Sequence, residues 1–155
     1  MTKIAVFSCV FSLVVAGCGS DAKDNIDDEG CEHLQMGPPT AVTATETALA
    51  TSPEVKVDHT RYDVTLATSG TMKGGFVRFA SAQARDWVFF LGKDVPFAVQ
   101  DGAGAPVALT SSTASSSQCT EIKGKHVVAL GVGTYHLKLG PTAETAVGVV
   151  AEENP

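Results

Sequence analysis

The chain has no apolar run long enough to cross a membrane as a helix. Its most apolar stretch, residues 4–17, is uncharged but only fourteen residues long. At 1.5 Å per residue it would form a helix of about 21 Å, against a hydrocarbon core of about 30 Å. Lys3 precedes this stretch, and the acidic, glycine-containing residues 19–30 follow it. A charged start, a short apolar segment and an abrupt polar end are typical of a cleaved signal peptide.

Basic and aromatic residues are both scarce. Eleven Lys and Arg face seventeen Asp and Glu, which gives a net charge of −6, and the chain has one Trp and two Tyr. There is no Lys/Arg cluster to neutralise phosphates, and no aromatic residues are interleaved with basic ones to stack on bases. The composition therefore indicates that nucleic acid is not a partner.

Sequence motifs of the common enzyme classes are also missing. The chain contains no GxSxG nucleophile elbow, no phosphate-binding P-loop and no GxGxxG dinucleotide fingerprint. Two acidic residues can always meet in space, but no feature of the sequence selects a pair for acid–base chemistry. We therefore predict that the protein is not an enzyme.

Residues 15–18 read Val-Ala-Gly-Cys, and this sequence resembles the lipobox of bacterial lipoproteins. The resemblance covers residues 1–18. It implies that residues 1–17 are a lipoprotein signal peptide and that Cys18, as the lipidation site, carries acyl chains such as palmitate that anchor the chain in a membrane. Because Gly19 and not Asp follows Cys18, it also implies the outer membrane of the cell envelope, with the domain facing the periplasm or the cell surface. The alternative is an ordinary secretory signal with Cys18 free or disulfide-bonded.

The segment that follows the predicted lipidation site is strongly acidic. Five Asp and Glu but one Lys occur between residues 19 and 30. Such a segment buries little apolar surface and its charges repel, so we predict that residues 18–30 form an extended, lipidated acidic tether. A calcium loop is the alternative, although the acids lack the spacing and the closing Glu of an EF-hand.

Cysteine is rare once the signal peptide and the lipidation site are set aside. Cys31 and Cys119 remain, and an exported chain meets an oxidising compartment in which such a pair forms a disulfide. The alternative is that one of the two is a nucleophile, but neither has the sequence surroundings of a known nucleophilic cysteine.

Residues 31–155 show short runs of β-branched and aromatic residues separated by Gly, Ser, Thr and Asp. Turns recur every eight to twelve residues, and no segment shows a clear row of apolar residues at the three- to four-residue spacing of an amphipathic helix. We therefore predict an all-β fold, a single antiparallel β-sandwich of about eight or nine strands, with a closed barrel as the alternative. The nearly continuous apolar run at residues 86–92 predicts a central strand, and residues 125–140 predict two strands around a Gly-Val-Gly turn.

Histidines are the remaining potential metal ligands. If residues 131–133 form a three-residue hairpin loop, His126 and His136 share one face of a sheet at about 7 Å, whereas a two-residue turn places them on opposite faces. A disulfide at Cys31 would also bring His33 toward the same strands. Imidazoles suit zinc or copper, although no HxH, HxxH or HExxH spacing is present. The predicted metal set is therefore His33, His59, His126 and His136, and the alternative is four unrelated histidines.

Together these observations predict a membrane-anchored lipoprotein that acts as a non-enzymatic binding or structural module in the cell envelope and needs no cofactor. The membrane is its expected partner, through the lipid anchor. The alternative function is a periplasmic zinc- or copper-binding protein that uses clustered histidines.

Overall fold

The computed structural model describes residues 25–155, and residues 1–24, with the predicted signal peptide, Cys18 and most of the predicted tether, lie outside the described residues. None of the helices in the described part has the length and apolar character needed to cross a membrane. The elements in chain order are α1 (Ile26–Met36), β1 (Pro39–Thr43), β2 (Glu54–Val55), β3 (Arg61–Thr65), β4 (Ala67–Ser69), β5 (Met72–Ser81), β6 (Arg85–Leu91), β7 (Phe97–Asp101), β8 (Pro106–Val107), β9 (Ser111–Thr113), β10 (Gly124–Leu130), β11 (Gly133–Thr142) and β12 (Ala146–Glu153).

The strands form two packed sheets, which confirms the predicted β-sandwich. The first sheet has the order β1-β3-β12-β6-β10-β9, and the second has the order β2-β5-β11-β7-β8, with β4 paired to β5. Eight of the twelve strands have five residues or more, in agreement with the predicted number, and the other four are short pairings of two or three residues. The sheets are not wholly antiparallel, because β1 pairs with β3 and β2 with β5 in parallel.

The main hydrophobic core lies between the two sheets. Alternate residues of the long strands face it, as expected for strands with one face on a core. Its largest members are aromatic: Phe79 packs edge-to-face on Trp87 and on Phe89, with ring centroids 5.1 and 5.0 Å apart. The Trp87 indole N–H donates to the Ser81 hydroxyl at 3.0 Å, so its polar atom is satisfied within the core.

A second hydrophobic cluster lies on the outer face of the first sheet, under α1. Val88 and Phe90 of β6 and Val150 of β12 pack there against Leu34 of the helix. Strand β6 lies between β12 and β10, which confirms the predicted central strand. Its nearly continuous apolar run follows from this arrangement, because one set of alternate residues faces the main core and the other faces α1.

The predicted tether is wrong for residues 26–30, which form the beginning of α1 and are not extended. The Asn25 side chain accepts a hydrogen bond from the Asp27 N–H and caps the helix, and Asp27, Asp28 and Glu29 occupy its first turn. Acidic side chains are favourable at a helix N-terminus because they face the positive end of the helix dipole. The acidity that suggests a solvated segment is therefore equally an N-terminal helix signal.

The predicted disulfide is present in the structure. Cys31 and Cys119 are joined with an S–S distance of 1.99 Å and a Cα–Cα distance of 5.8 Å. Cys31 lies on α1, and Cys119 lies in the loop between β9 and β10. The bond fastens the helix to that loop.

The expected pairing of the two strands at residues 125–140 is wrong. Both strands exist, as β10 and β11, but β10 pairs with β6 and β9 in the first sheet, whereas β11 pairs with β5 and β7 in the second. Residues 131–132 therefore connect the two sheets and do not form a hairpin loop. The physical reason is that both strands carry core residues, Val128 and Leu137 among them, and crossing between the sheets lets both strands bury these side chains between them.

Candidate metal centre

Two of the four predicted histidines meet two glutamates at the edge of α1. Glu29, His33, His59 and Glu152 each offer one ligand atom, and these four atoms lie within 4.8 Å of one another. Within residues 25–155 no other group of three or more potential ligands converges in this way. We call these four residues the His/Glu cluster.

Helix α1 supplies Glu29 and His33. The two residues are four positions apart, so their side chains lie one turn apart on the same face of the helix. The helix ends shortly after them, where the Gly37 N–H donates to the His33 carbonyl at 3.0 Å. Both ligands are thus held by regular helical backbone.

Close packing holds the helix on the first sheet. A Cβ atom on Gly30 would lie 2.4 Å from the ring of Phe90, so the absence of a side chain at this position allows the helix backbone to approach the sheet. Asp27 pairs with Lys125 and accepts a 2.6 Å hydrogen bond from Ser116. Desolvation raises the pKa of Asp27, but these hydrogen bonds outweigh it, and the pKa lies below its usual value.

Glu152 is the buried member of the cluster. It lies on β12 and is only 2% exposed, and its Oε1 lies 2.6 Å from Nδ1 of His33. Burial raises the pKa of Glu152, while the hydrogen bond with His33 acts in the opposite direction. A buried carboxylate is costly unless it is paired, so Glu152 and His33 form the fixed half of the site.

His59 completes the cluster from the loop between β2 and β3. Its φ is +56°, the left-handed conformation, which residues other than glycine adopt at a cost of roughly 1–2 kcal/mol. In this conformation its ring packs edge-on against His33, with centroids 4.8 Å apart, and its Nδ1 lies 3.9 Å from Oε1 of Glu29. Backbone strain of this kind concentrates at functional sites.

The ligand types and distances suit a transition metal. Two imidazoles and two carboxylates resemble the nitrogen and oxygen sets that bind zinc tetrahedrally at about 2.0–2.2 Å, which separates neighbouring ligand atoms by about 3.4 Å. Around an ion the widest separation in the cluster, up to 4.8 Å, must therefore shrink by about 1 Å or somewhat more, and the 2.6 Å contact between His33 and Glu152 must open by a little under 1 Å. The side chains of His59 and Glu29 are 69% and 38% exposed and have the freedom to move toward the other two. Two carboxylates also match the charge of a divalent ion.

The site is open to solvent along one side. Glu29 and His59 line two adjacent surface clefts, one bordered by Asp28 and Glu32 of α1 and the other by Arg85 and Pro155. Acidic residues on the rim attract cations electrostatically. An ion can therefore reach the cluster without opening of the fold.

His126 and His136 are not part of the cluster. His126 faces the space between the sheets, where its ring stacks on Phe97 at 4.6 Å and its Nδ1 bonds to the Ser112 hydroxyl at 2.8 Å. His136 lies in the second sheet, where its Nε2 bonds to the Leu49 carbonyl at 3.1 Å. The prediction that all four histidines converge is therefore wrong, because β10 and β11 belong to different sheets.

The Ser112–His126 contact has the atoms of a nucleophile and a base, but its surroundings oppose that chemistry. Burial lowers the pKa of His126, and its Nε2 is buried with no hydrogen-bond partner among the described residues. A base that takes the serine proton would become a buried cation with no acceptor for its second N–H, which is unfavourable. The pair therefore serves the packing of β9 against β10.

Sequence reasoning missed both glutamates. Glu29 stands four residues before His33, a spacing that selects a ligand pair once the segment is recognised as helical. Glu152 has no such signal, because it lies 119 residues from His33 in the chain and only the strand order brings it under α1.

Comparison with protein-family models finds no match, and comparison with curated proteins finds no significant match. The chemistry of the His/Glu cluster is therefore the basis on which a function is proposed.

Proposed function

We propose that this protein is a non-enzymatic, transition-metal-binding module of the cell envelope, anchored by a lipid on Cys18, and that zinc or copper binds at the His/Glu cluster. The single observation that carries the metal proposal is the convergence of Glu29, His33, His59 and Glu152 within 4.8 Å. Four protein ligands fill a tetrahedral zinc site, whereas catalytic zinc sites keep a position for water or substrate. This donor count supports storage or delivery of the metal over catalysis.

The chemistry of the donors also predicts which ions bind. Cys31 and Cys119 are consumed by the disulfide, so the described residues offer no thiolate at the site. Nitrogen and oxygen donors favour Cu²⁺ and Zn²⁺ over Cu⁺, and the usual order of divalent affinities places Cu²⁺ above Zn²⁺. We expect Mg²⁺ and Ca²⁺ to bind weakly, because both prefer sets made only of oxygen.

Calorimetric titration of zinc and copper tests the metal proposal. The full chain is used with Cys9→Ser and Cys18→Ser, so that thiols outside the disulfide do not contribute. We expect one ion per chain and at least a tenfold loss of affinity, about 1.4 kcal/mol, in Glu29→Gln, His33→Ala or His59→Ala. No heat with either ion would overturn the proposal.

Matched variants separate ligation from charge. Glu32→Gln removes the same charge from the same helix and should change affinity much less than Glu29→Gln, because Glu32 is not in the cluster. A His126→Ala and His136→Ala double variant, confirmed as folded by circular dichroism, should bind as the parent does. Equal losses of metal affinity in Glu29→Gln and Glu32→Gln would show that both residues act by general electrostatic attraction and that Glu29 is not a ligand.

The membrane anchor needs its own test, since Cys18 lies outside the described residues. The lipobox resemblance of residues 15–18 supports it. We expect the unaltered chain to be processed and to fractionate with membranes, and a Cys18→Ala variant to lose processing. A variant that is processed as before and partitions with membranes as before would contradict the anchor and leave the metal proposal untouched.

A further inference from the structure

The disulfide meets α1 at the turn that carries the metal ligands. Cys31 stands two residues after Glu29 and two before His33, so it lies on the opposite side of the helix, about 200° around the axis. Its partner Cys119 is almost fully buried and belongs to the second hydrophobic cluster. The bond therefore clamps the ligand-bearing turn against the first sheet.

Non-covalent contacts also hold this turn, because Gly30 packs on Phe90 and Nδ1 of His33 lies 2.6 Å from Oε1 of Glu152. α1 has eleven residues, and two of them, Gly30 and Leu34, are buried. A helix of this length is marginal on its own in water, so its position depends on tertiary contacts. The Asp27–Lys125 pair holds the first turn, and the Arg61 guanidinium donates to the Leu34 carbonyl at 3.0 Å near the helix end. Between these contacts the disulfide is the one covalent constraint in the described part of the chain.

The metal ligands are divided between the helix and the sandwich. Glu29 and His33 move with α1, whereas Glu152 belongs to β12 and His59 to the loop before β3. Metal–ligand bonds tolerate errors of only about 0.2 Å. Greater freedom of α1 relative to β12 therefore raises the entropic cost of bringing the four ligands together around one ion.

We propose that metal binding at the His/Glu cluster is coupled to the redox state of Cys31–Cys119, so that the oxidised protein holds the ion more tightly than the reduced protein. This inference rests on the proposed metal-binding function. A dithiol reductant would pass two electrons and two protons to the disulfide, giving two thiols, and would itself become a disulfide. Release of α1 then separates Glu29 and His33 from Glu152. Oxidation restores the site.

Coupling of this kind is reciprocal, because each event stabilises the same position of α1. If the disulfide tightens metal binding, bound metal must protect the disulfide from reduction by the same factor. Coupling between sites commonly amounts to roughly 5–150-fold, and we expect a factor of about ten here.

The first experiment measures zinc affinity in the full chain with Cys9→Ser and Cys18→Ser, with and without Cys31→Ser and Cys119→Ser. Serine removes the disulfide without adding a thiol, so the variant reports the zinc affinity of the His/Glu cluster alone. We expect about tenfold weaker binding and faster amide exchange in α1 without the disulfide. Val99→Ala, a core change in the second sheet, serves as a control for lost stability and should leave zinc affinity unchanged.

A second experiment covers the case in which the serine pair does not fold. The protein is equilibrated with defined ratios of reduced and oxidised glutathione at a fixed concentration of free zinc, and free thiols are trapped by alkylation and counted by mass. Saturating zinc should shift the equilibrium between dithiol and disulfide about tenfold toward the disulfide, and His33→Ala should abolish this shift. Equal zinc affinity with and without the disulfide, or an equal disulfide–dithiol equilibrium with and without zinc, would overturn the coupling. Failure of the oxidised protein to bind zinc at all would instead overturn the proposed function.

Discussion

At the scale of single residues, His59 combines an unfavourable backbone conformation with an exposed side chain. Its positive φ directs the imidazole toward His33, and packing into the main core does not explain the conformation because the side chain is 69% exposed. The strain is understandable if the imidazole binds a metal ion. The two roles of the residue, backbone and ligand, can be separated by substitution.

The variants His59→Gly and His59→Ala should differ in their free energy of unfolding but lose the same metal affinity. Glycine adopts positive φ freely, whereas alanine retains the strain, so we expect His59→Gly to be about 1 kcal/mol more stable than His59→Ala in the metal-free protein. Both should lose metal affinity by a similar factor. Urea denaturation and zinc titration measure the two effects, and retention of affinity in either variant would show that His59 is not a ligand.

Glu152 shows the opposite combination, a buried ionisable group on a regular strand. Its native pKa is raised above the ordinary value of 4.5 by burial. The native protein therefore binds this proton more strongly than the unfolded chain does. The contribution of Glu152 to stability is greatest below about pH 4.5 and falls as the pH rises through its native pKa.

A Glu152→Gln substitution removes this titration. We expect the free energy of unfolding of the variant, relative to the parent, to increase as the pH rises from about 4.5 to 7.5 in the metal-free proteins. His126 titrates in both proteins and cancels from the difference, whereas His33 loses its carboxylate partner in the variant, so the difference reports the His33–Glu152 pair. Urea denaturation in EDTA at several pH values measures it. A difference that is constant with pH would show that burial of the carboxylate is not costly, and the variant should in any case bind zinc weakly.

At the scale of elements, the position of α1 depends on a glycine that has no part in ligation. Gly30 lies against Phe90 so closely that a methyl group cannot fit without movement. Alanine favours helix formation by about 1 kcal/mol, but overpacking typically costs about 1–3 kcal/mol. Contact with the sheet therefore outweighs helix propensity at this position.

Gly30→Ala should displace α1 and weaken the metal site without altering a ligand. We expect lower stability and a several-fold loss of zinc affinity, both recovered in part when Phe90→Leu makes room for the methyl group. Denaturation and calorimetry of the single and double variants form the cycle that measures this coupling. If Gly30→Ala lowers stability but leaves zinc affinity unchanged, the seating of α1 does not control the site.

The elements also show how far sequence patterns reach. Strand β6 was predictable because its apolar run has no polar interruption, and β10 and β11 were predictable as strands from their residues. Their pairing was not, because a Gly-Val-Gly connection suits a hairpin and a crossing between sheets equally well. Helix α1 was missed because its acidic first turn has the composition of a solvated segment and its buried face consists of little more than Gly30 and Leu34.

At the scale of the whole molecule, the disulfide links parts of the chain separated by 88 residues. Closing a loop of that size removes conformational entropy from the unfolded chain, a contribution of about 4 kcal/mol in the chain-entropy account. The bond also joins the helix to a sandwich that has its own core. Its loss should therefore lower global stability and not abolish the sandwich.

The Cys31→Ser and Cys119→Ser variant should unfold at a free energy lower by about 2–4 kcal/mol and retain the β-rich circular dichroism of the parent. Urea denaturation at neutral pH measures this difference. A variant that is unfolded in water would show that the sandwich depends on the cross-link and not on its inter-sheet core.

The sequence alone determined the features that depend on local pattern or on composition: the strands, the disulfide pair and the scarcity of catalytic motifs, with the lipid anchor at Cys18 still a prediction. Tertiary structure decided which histidines meet. His33 and Glu152 are 119 residues apart and become neighbours because α1 packs across β12, while His126 and His136 are separated because their strands join different sheets. Strand patterns specify which residues face a core, but they carry little information about which sheet a strand joins, and the metal site depends on that choice.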